Sequence, residues 1–185
     1  MSSSPALHGE YIPMRSLQSV LTAQKMIKAA NILDIPIYAT TQNRGRLGET
    51  CSELPLETAV VEADKTAFSM WIPEIANHFS SAAPAEVVIV GIETHICVTQ
   101  TTLDLLANGH KVYVLADGVS SCNPQEIPVA LARLRAAGAV VTTSESFLFE
   151  CMGNAEIPEF RAVAGLVKET SANTKDVMST LLSKI

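Results

Sequence analysis

The feature that most constrains the fold is the apolar, β-branched run Glu86–Ile92. A continuous run of this kind predicts a strand buried on both faces, as in parallel sheets that are covered by helices. A helical stretch is predicted at 94–107, where Asn108-Gly109 ends it, and another apolar strand at 111–116. Strands that alternate with helices along the chain predict an α/β fold with a parallel sheet.

The rest of the chain continues the same alternation. Further helices are predicted at 16–33, 71–79 and 124–137, further strands at 35–42, 59–65 and 139–143, and a loop at 43–57. The tail, 156–185, predicts an amphipathic helix that could pack on a partner subunit. With neither an internal repeat nor a linker, we expect a single domain over residues 1–185, of which 169–185 form a C-terminal helical tail.

Composition and charge exclude several classes of protein. Hydrophobic residues make up 48% of the chain and charged residues 17%, so the chain is not disordered. Thirteen Lys and Arg against nineteen Asp and Glu give a net charge of -6, and aromatic residues are 5%. This balance disfavours a nucleic-acid partner, because such proteins carry basic patches and aromatic platforms for stacked bases.

Targeting signals and cysteine usage predict a location. The first residues lack the pattern of a secretory signal, and no apolar run approaches the ~18 residues that span a bilayer. The four cysteines occur singly, which is typical of reduced thiols. We therefore expect a cytoplasmic protein without a membrane partner. A mitochondrial or peroxisomal location stays open, since the C-terminal Ser183-Lys-Ile resembles a peroxisomal address.

Candidate site residues come from the carboxyl ends of the predicted strands, where open parallel sheets form their sites. Cys97 follows the strand Glu86–Ile92 in the first turn of a helix, whose dipole favours the thiolate. Lys65 ends the strand at 59–65, and a nearby ammonium lowers a thiol pKa further. From physics alone, a lone Cys in an apolar helix is more often a core residue, and a lone Lys is more often a surface charge.

Four segments resemble the isochorismatase-like cysteine hydrolases, with the isochorismatase domain-containing proteins as the nearest branch. They are Glu62-Ala-Asp-Lys-Thr-Ala-Phe-Ser-Met70, Val90-Gly-Ile-Glu-Thr-His-Ile-Cys-Val-Thr-Gln-Thr101, Ala116-Asp-Gly-Val-Ser-Ser121 and Thr142-Thr-Ser-Glu-Ser146. The similarity runs in the right order over about 16–168. The resemblance implies a three-layer α/β/α fold with a parallel sheet in the order 3-2-1-4-5-6.

The resemblance also assigns roles in hydrolysis of a small carbonyl or amide substrate. Cys97 matches the family nucleophile and Lys65 the lysine that stabilises charge, while an Asp takes the thiol proton. A cis peptide bond at Ile92–Glu93 would direct backbone N–H groups toward an oxyanion. The pocket lining is expected to include Gln42, Phe68, Trp71 and Thr94.

One departure from the family concerns its first strand, which carries the Asp and precedes the helix at 16–33. The residues before Ser16 contain two prolines and no apolar run, so the central first strand and the Asp are expected to be missing. Two hypotheses follow. The chain must close the gap, borrow a strand from a partner or fold poorly, because unpaired backbone groups cost about 1–3 kcal/mol each. Turnover should fall about 10²–10⁴-fold without the base.

The remaining expectations concern cofactors, oligomeric state and functions other than hydrolysis. Nicotinamidase-type relatives bind a metal through an Asp and two His after the second strand, whereas the corresponding stretch here, 41–48, contains no His. This departure implies no catalytic metal and no nicotinamidase activity, and we expect no cofactor. We expect a homo-oligomer, as is common in this family. Two alternatives to a hydrolase stay open: a non-catalytic oligomeric binding member, and a thiol-reactive protein in which Cys97 is reversibly oxidised.

Overall fold

The computed structural model describes residues 14–79 and 83–181. Helices in these ranges are α1 (Met14–Ile32), α2 (Arg44–Leu47), α3 (Pro73–Ala76), α4 (Thr99–Ala107), α5 (Glu126–Ala136), α6 (Ser144–Met152), α7 (Phe160–Glu169) and α8 (Ser171–Leu181). A π-helical turn, Thr94–Val98, directly precedes α4. The strands are β1 (Tyr38–Gln42), β2 (Val61–Lys65), β3 (Glu86–Ile92), β4 (Lys111–Ser120) and β5 (Val140–Thr142).

All described strands are parallel, but they form two separate sheets. One sheet contains β1 and β2, and the other has the order β3-β4-β5. Within 14–79 and 83–181, no strand joins β1 to β3. The α/β fold with parallel strands is confirmed, and the break between the two described sheets falls where the family order places its first strand. The prediction that the residues before α1 contain no strand concerns 1–13, which lie outside the described residues.

The main core lies on both faces of β4. Val112 and Val114 are fully buried on one face, where Ile127 and Leu131 of α5 join the same apolar cluster. Tyr113 and Leu115 point to the opposite face, where they pack with Phe147 of α6 and with residues of α1. This alternation follows from the two-residue period of a strand, and it gives three layers with the sheet in the middle.

Helix α1 runs antiparallel to the strands on the α6 side of β4. Ser19, near the start of α1, lies 3.2 Å from Ser120 at the end of β4, measured between hydroxyl oxygens. Gly118 permits this close packing, because a Cβ there would come within 2.8 Å of Val90 Cγ1 and 3.2 Å of Thr22 Cγ2. The N-terminal end of α1 therefore lies at the carboxyl edge of the sheet.

One sequence prediction in this region was wrong. β4 continues to Ser120 instead of ending at Ala116, since a register shift pairs Val114 with Ile89 but Val119 with Gly91. Asp117 is therefore a fully buried strand residue. Its carboxylate accepts hydrogen bonds from the backbone N–H and the hydroxyl of Ser144. Ser144 begins α6, a helix that we did not predict, and Thr143 caps this helix by accepting from the N–H of Ser146 at 3.4 Å.

Candidate active site

Lys65 ends β2 with its side chain directed inward and its ammonium held by fixed acceptors. The residue is 7% exposed. Nζ donates to Gln42 Oε1 at 2.5 Å, to the carbonyl of Ala67 at 3.0 Å and to the carbonyl of Phe68 at 3.1 Å. Three acceptors match the three protons of an ammonium, so the charge is held in one place. Lys65 is a positioned buried cation and not a solvated surface charge.

Cys97 lies in the π-helical turn that follows β3. The turn begins after Glu93, whose backbone is left-handed (φ 57°, ψ 69°). Its five-residue spacing is visible in the bond from the N–H of Val98 to the carbonyl of Glu93, at 3.4 Å. The predicted helix at 94–107 thus starts as a π turn, and Cys97 lies in it, half-buried. Single π turns occur often at functional sites.

Electrostatics couple the thiol of Cys97 to the ammonium of Lys65. Burial raises the pKa of Cys97 above its usual value; the Lys65 charge acts against this rise and the Glu93 carboxylate adds to it. Burial also lowers the pKa of Lys65, against the opposing charges of Cys97 and Asp64. The Lys65 charge lowers the pKa of Cys97, as expected, but desolvation of the half-buried thiol is the larger effect, so the net direction is upward.

The cis peptide bond expected at Ile92–Glu93 is absent, since the described residues contain only trans bonds. The left-handed conformation of Glu93 makes the sharp turn between β3 and the π turn instead. A cis bond without proline costs about 3–4 kcal/mol, whereas one left-handed residue costs less. Ile92 is 59% exposed at this corner.

The residues expected to line the pocket divide into two groups. Gln42 and Phe68 lie at the Lys65 ammonium, and the ring of Phe68 is half-exposed. Thr94 is fully buried and its hydroxyl donates to the carbonyl of Ser120 at 2.8 Å, so it holds the turn to β4 and does not face a ligand. Trp71 packs on the main core, with its ring 5.3 Å from that of His110. Thr94 is a correction, because a fully buried and engaged hydroxyl is unavailable to a substrate, whereas Trp71 is half-buried and its place in the pocket stays a prediction.

Sequence reasoning named Glu93 for its backbone and missed its carboxylate. Oε2 accepts from the hydroxyl of Ser121 at 3.2 Å and lies 3.4 Å from Cys122 Sγ, while Oε1 accepts from the N–H of Cys122 at 3.2 Å. His95 Nδ1 lies 3.1 Å from the hydroxyl of Ser121. The sequence signal for this carboxylate was its place four residues before Cys97. Its contacts could not be predicted, because Ser121 and Cys122 follow β4 and are distant in sequence.

Away from Cys97 and Lys65, the described residues form a cavity but no metal-ligand cluster and no membrane span. Within 14–79 and 83–181, no group of three or more His, Cys, Asp or Glu side chains could hold a metal ion. A cavity of about 580 Å³ lies away from Cys97, lined by Asp117, Thr143, Glu145, Ser146, Phe149, Thr174, Lys175 and Met178. None of the described helices combines the length and apolar character needed to cross a membrane.

The fold and the site together define a class of protein: a three-layer α/β protein that carries a cysteine and a lysine at the carboxyl edge of parallel strands. The isochorismatase domain matches residues 9–146 of the chain. The chain therefore belongs to the isochorismatase family of hydrolases.

Known relatives agree with this assignment. The secreted isochorismatase effector Isc1 of Phytophthora sojae is 43% identical over 150 residues, which are 78% of this chain and 71% of Isc1. Isochorismatase domain-containing protein 1 of Salmo salar is 38% identical over 172 residues, 90% of this chain and 57% of that protein. A structure titled as the MAR1 ribonuclease of Caenorhabditis elegans is 37% identical with a TM-score of 0.76, covering 82% of this chain and 79% of that one.

Proposed function

We propose that the chain acts on a small carbonyl or amide substrate with Cys97 as nucleophile and Lys65 as the charge that stabilises its thiolate. The observation that carries this proposal is the position of a buried ammonium beside a half-buried thiol: Lys65 ends β2, Cys97 lies in the turn after β3, and each group acts on the pKa of the other. Lysines are seldom buried without a specific role. Perturbed titratable pairs of this kind concentrate at functional sites.

The chemistry follows from the nucleophilicity of a thiolate. The sulfur of Cys97 attacks the carbonyl carbon, the leaving amine departs with a proton, and water then hydrolyses the thioester. Lys65 favours the ionised thiol and stabilises negative charge that develops nearby. Its three fixed acceptors keep the ammonium in position throughout.

The proposed mechanism needs a general base to take the proton of the Cys97 thiol, and the described residues supply a poor one. Among the described carboxylates, that of Glu93 acts on the Cys97 thiol, but it also accepts hydrogen bonds from Ser121 and Cys122. The raised pKa of Cys97 leaves little thiolate at neutral pH. We therefore propose an impaired hydrolase, about 10²–10⁴-fold slower than an enzyme with a free, positioned base.

A non-catalytic, oligomeric binding member of the family is the second candidate. The observation that favours it is the same raised pKa of Cys97, since a mostly protonated thiol is a poor nucleophile. Val177 of α8 is already buried within its own chain, so the homo-oligomer of this second candidate stays a prediction from the family resemblance.

The test compares Cys97→Ala with the matched variant Cys122→Ala on a panel of small amides, esters and one short RNA oligomer. Cys122 is exposed and 3.4 Å from Glu93, so it controls for loss of a neighbouring thiol. We expect slow hydrolysis of an amide or ester that Cys97→Ala abolishes and Cys122→Ala retains. Hydrolysis that survives in Cys97→Ala, or none in the parent protein, would overturn the proposal. RNA cleavage alone would exclude the acyl chemistry.

A further inference from the structure

A short segment after β2 and the π turn after β3 each carry part of the candidate active site. The segment, residues 66–70, supplies the carbonyls of Ala67 and Phe68 to the Lys65 ammonium, so it fixes where that charge lies. The π turn carries Cys97. Lys65 belongs to the smaller sheet, whereas Cys97 follows a strand of the larger one. The separation of the two groups therefore depends on what joins the segment to the turn.

A buried hydroxyl joins them. Thr101, in α4, is 4% exposed. Its Oγ1 accepts a hydrogen bond from the backbone N–H of Met70 at 2.9 Å and donates one to the carbonyl of Cys97 at 2.7 Å. One hydroxyl can make both bonds because it has one proton and two lone pairs, and both distances are typical of well-formed hydrogen bonds. Thr101 thus connects the backbone of the segment to the backbone of the π turn.

The bond that Thr101 donates is ordinary for a helix, whereas the bond that it accepts is not. Threonine hydroxyls in helices often donate to the carbonyl four residues earlier. The neighbouring Thr102, which is fully buried, does so to Val98 at 2.8 Å. Thr101 also accepts from Met70, which lies 31 positions earlier in the chain. Its hydroxyl therefore contributes to the tertiary arrangement of the site and not only to its own helix.

We infer that Thr101 is a positioning residue for the proposed reaction: its hydroxyl holds the segment 66–70, and with it the Lys65 ammonium, at a set distance from Cys97. This inference rests on the roles proposed above for Lys65 and Cys97. The Lys65 charge lowers the pKa of Cys97, against the larger effect of burial. Because the attraction between charges weakens as they separate, release of the segment should raise the pKa of the thiol further.

The test reads the thiol by the rate at which iodoacetamide alkylates Cys97 as a function of pH, with the modified residue identified by mass spectrometry. Thr101→Val keeps the shape of the side chain and removes the hydroxyl. We expect its pH profile to shift upward and the rate at pH 7.5 to fall roughly two- to fivefold, less than in Lys65→Met, which removes the charge altogether. Thr101→Ser restores a hydroxyl and should return the profile toward that of the parent protein.

Thr102→Val is the matched control, because it removes an equally buried hydroxyl whose bond is of the same helical type. Both valine variants should lower the stability toward denaturant by similar amounts, but only Thr101→Val should move the pH profile. In a Lys65→Met background, Thr101→Val should leave the profile unchanged, since no ammonium remains to be positioned. An effect of full size in that background would overturn the inference, because Thr101 would then act on the thiol by another route.

Residue-resolved deuterium exchange gives a second reading, which begins with the parent protein. The Met70 amide should exchange slowly there, roughly tenfold faster in Thr101→Val, and slowly again in Thr101→Ser. An unprotected Met70 amide in the parent protein, or an unchanged alkylation profile in Thr101→Val, would overturn the inference. Neither reading needs a substrate. A parent protein that hydrolyses nothing would overturn the proposed function instead, and a shifted profile in Thr101→Val would still support the positioning role.

Discussion

The two sheets differ sharply in how deeply they are buried. In the three-stranded sheet, Val112, Val114 and Leu115 of β4 have no exposed surface. In the two-stranded sheet, Glu62 and Asp64 of β2 are exposed and β1 is mostly half-buried. Among the described strands, only β4 has a paired strand on each side. The comparison teaches that burial is deepest at the strand that is paired along both edges.

Among the residues that the structure describes, the smaller sheet contacts the larger one through side chains and not through paired strands. Trp71 and Phe79 form a ring cluster with Tyr38 of β1 and with His110, which precedes β4. Two strands alone are marginally stable in water. The candidate site depends on this arrangement, because its lysine belongs to the smaller sheet and its cysteine follows a strand of the larger one.

The largest expected effect comes from a cavity in the larger core. Leu131→Ala, at a fully buried position of α5, should lower the free energy of unfolding by about 2–5 kcal/mol. The matched change Leu47→Ala, which follows β1 and is 72% exposed, should change it by less than about 0.5 kcal/mol. Denaturant titration measures both values. Equal losses would contradict the difference in burial between the two regions.

The next largest effect concerns Lys65, a charge on the smaller sheet that acts on Cys97 after β3. Lys65→Met should raise the pKa of Cys97 further, because the attraction that opposes burial is lost, and should slow iodoacetamide alkylation of Cys97 at pH 7.5 roughly tenfold. In the parent protein the rate should rise with pH and level off only above the usual thiol pKa. Lys111→Met, on the surface of β4, is the control. An unchanged pH profile in Lys65→Met would show that the two groups are not coupled.

The smallest effect has the opposite sign. Glu93→Gln removes a negative charge that raises the pKa of Cys97, so the pH profile of alkylation should shift downward and the rate at pH 7.5 should rise, by roughly two- to fivefold. The single amide oxygen can keep one of the two hydrogen bonds that Glu93 accepts, from the hydroxyl of Ser121 or from the N–H of Cys122. Glu57→Gln, in an exposed loop, should leave the profile unchanged. A slower reaction in Glu93→Gln would instead point to Glu93 as the base.

Much of the fold could be predicted because its signals are local. The strand Glu86–Ile92 has the predicted bounds, and α1, α5 and β5 differ from prediction by two residues or fewer at each end. The continuation of β4 to Ser120 could not be predicted, since the bulge at 115–118 is stabilised by Ser144 and by packing on Thr22. Cys97 and Lys65 were identified as site residues by the family resemblance. The raised pKa of Cys97 could not be predicted, because the burial of its thiol depends on residues distant in sequence.

The amino-acid sequence by itself determined the alternation of strands and helices, the apolar faces of β3 and β4, and the family, because these depend on periodicity and on short motifs. Only the tertiary structure decided that the strands divide into two sheets, that Glu93 turns the chain by a left-handed residue, and that the thiol of Cys97 is held above its usual pKa. The reason is that edge pairing, backbone strain and desolvation arise from groups distant in sequence, and their balance exists only once those groups have been brought together.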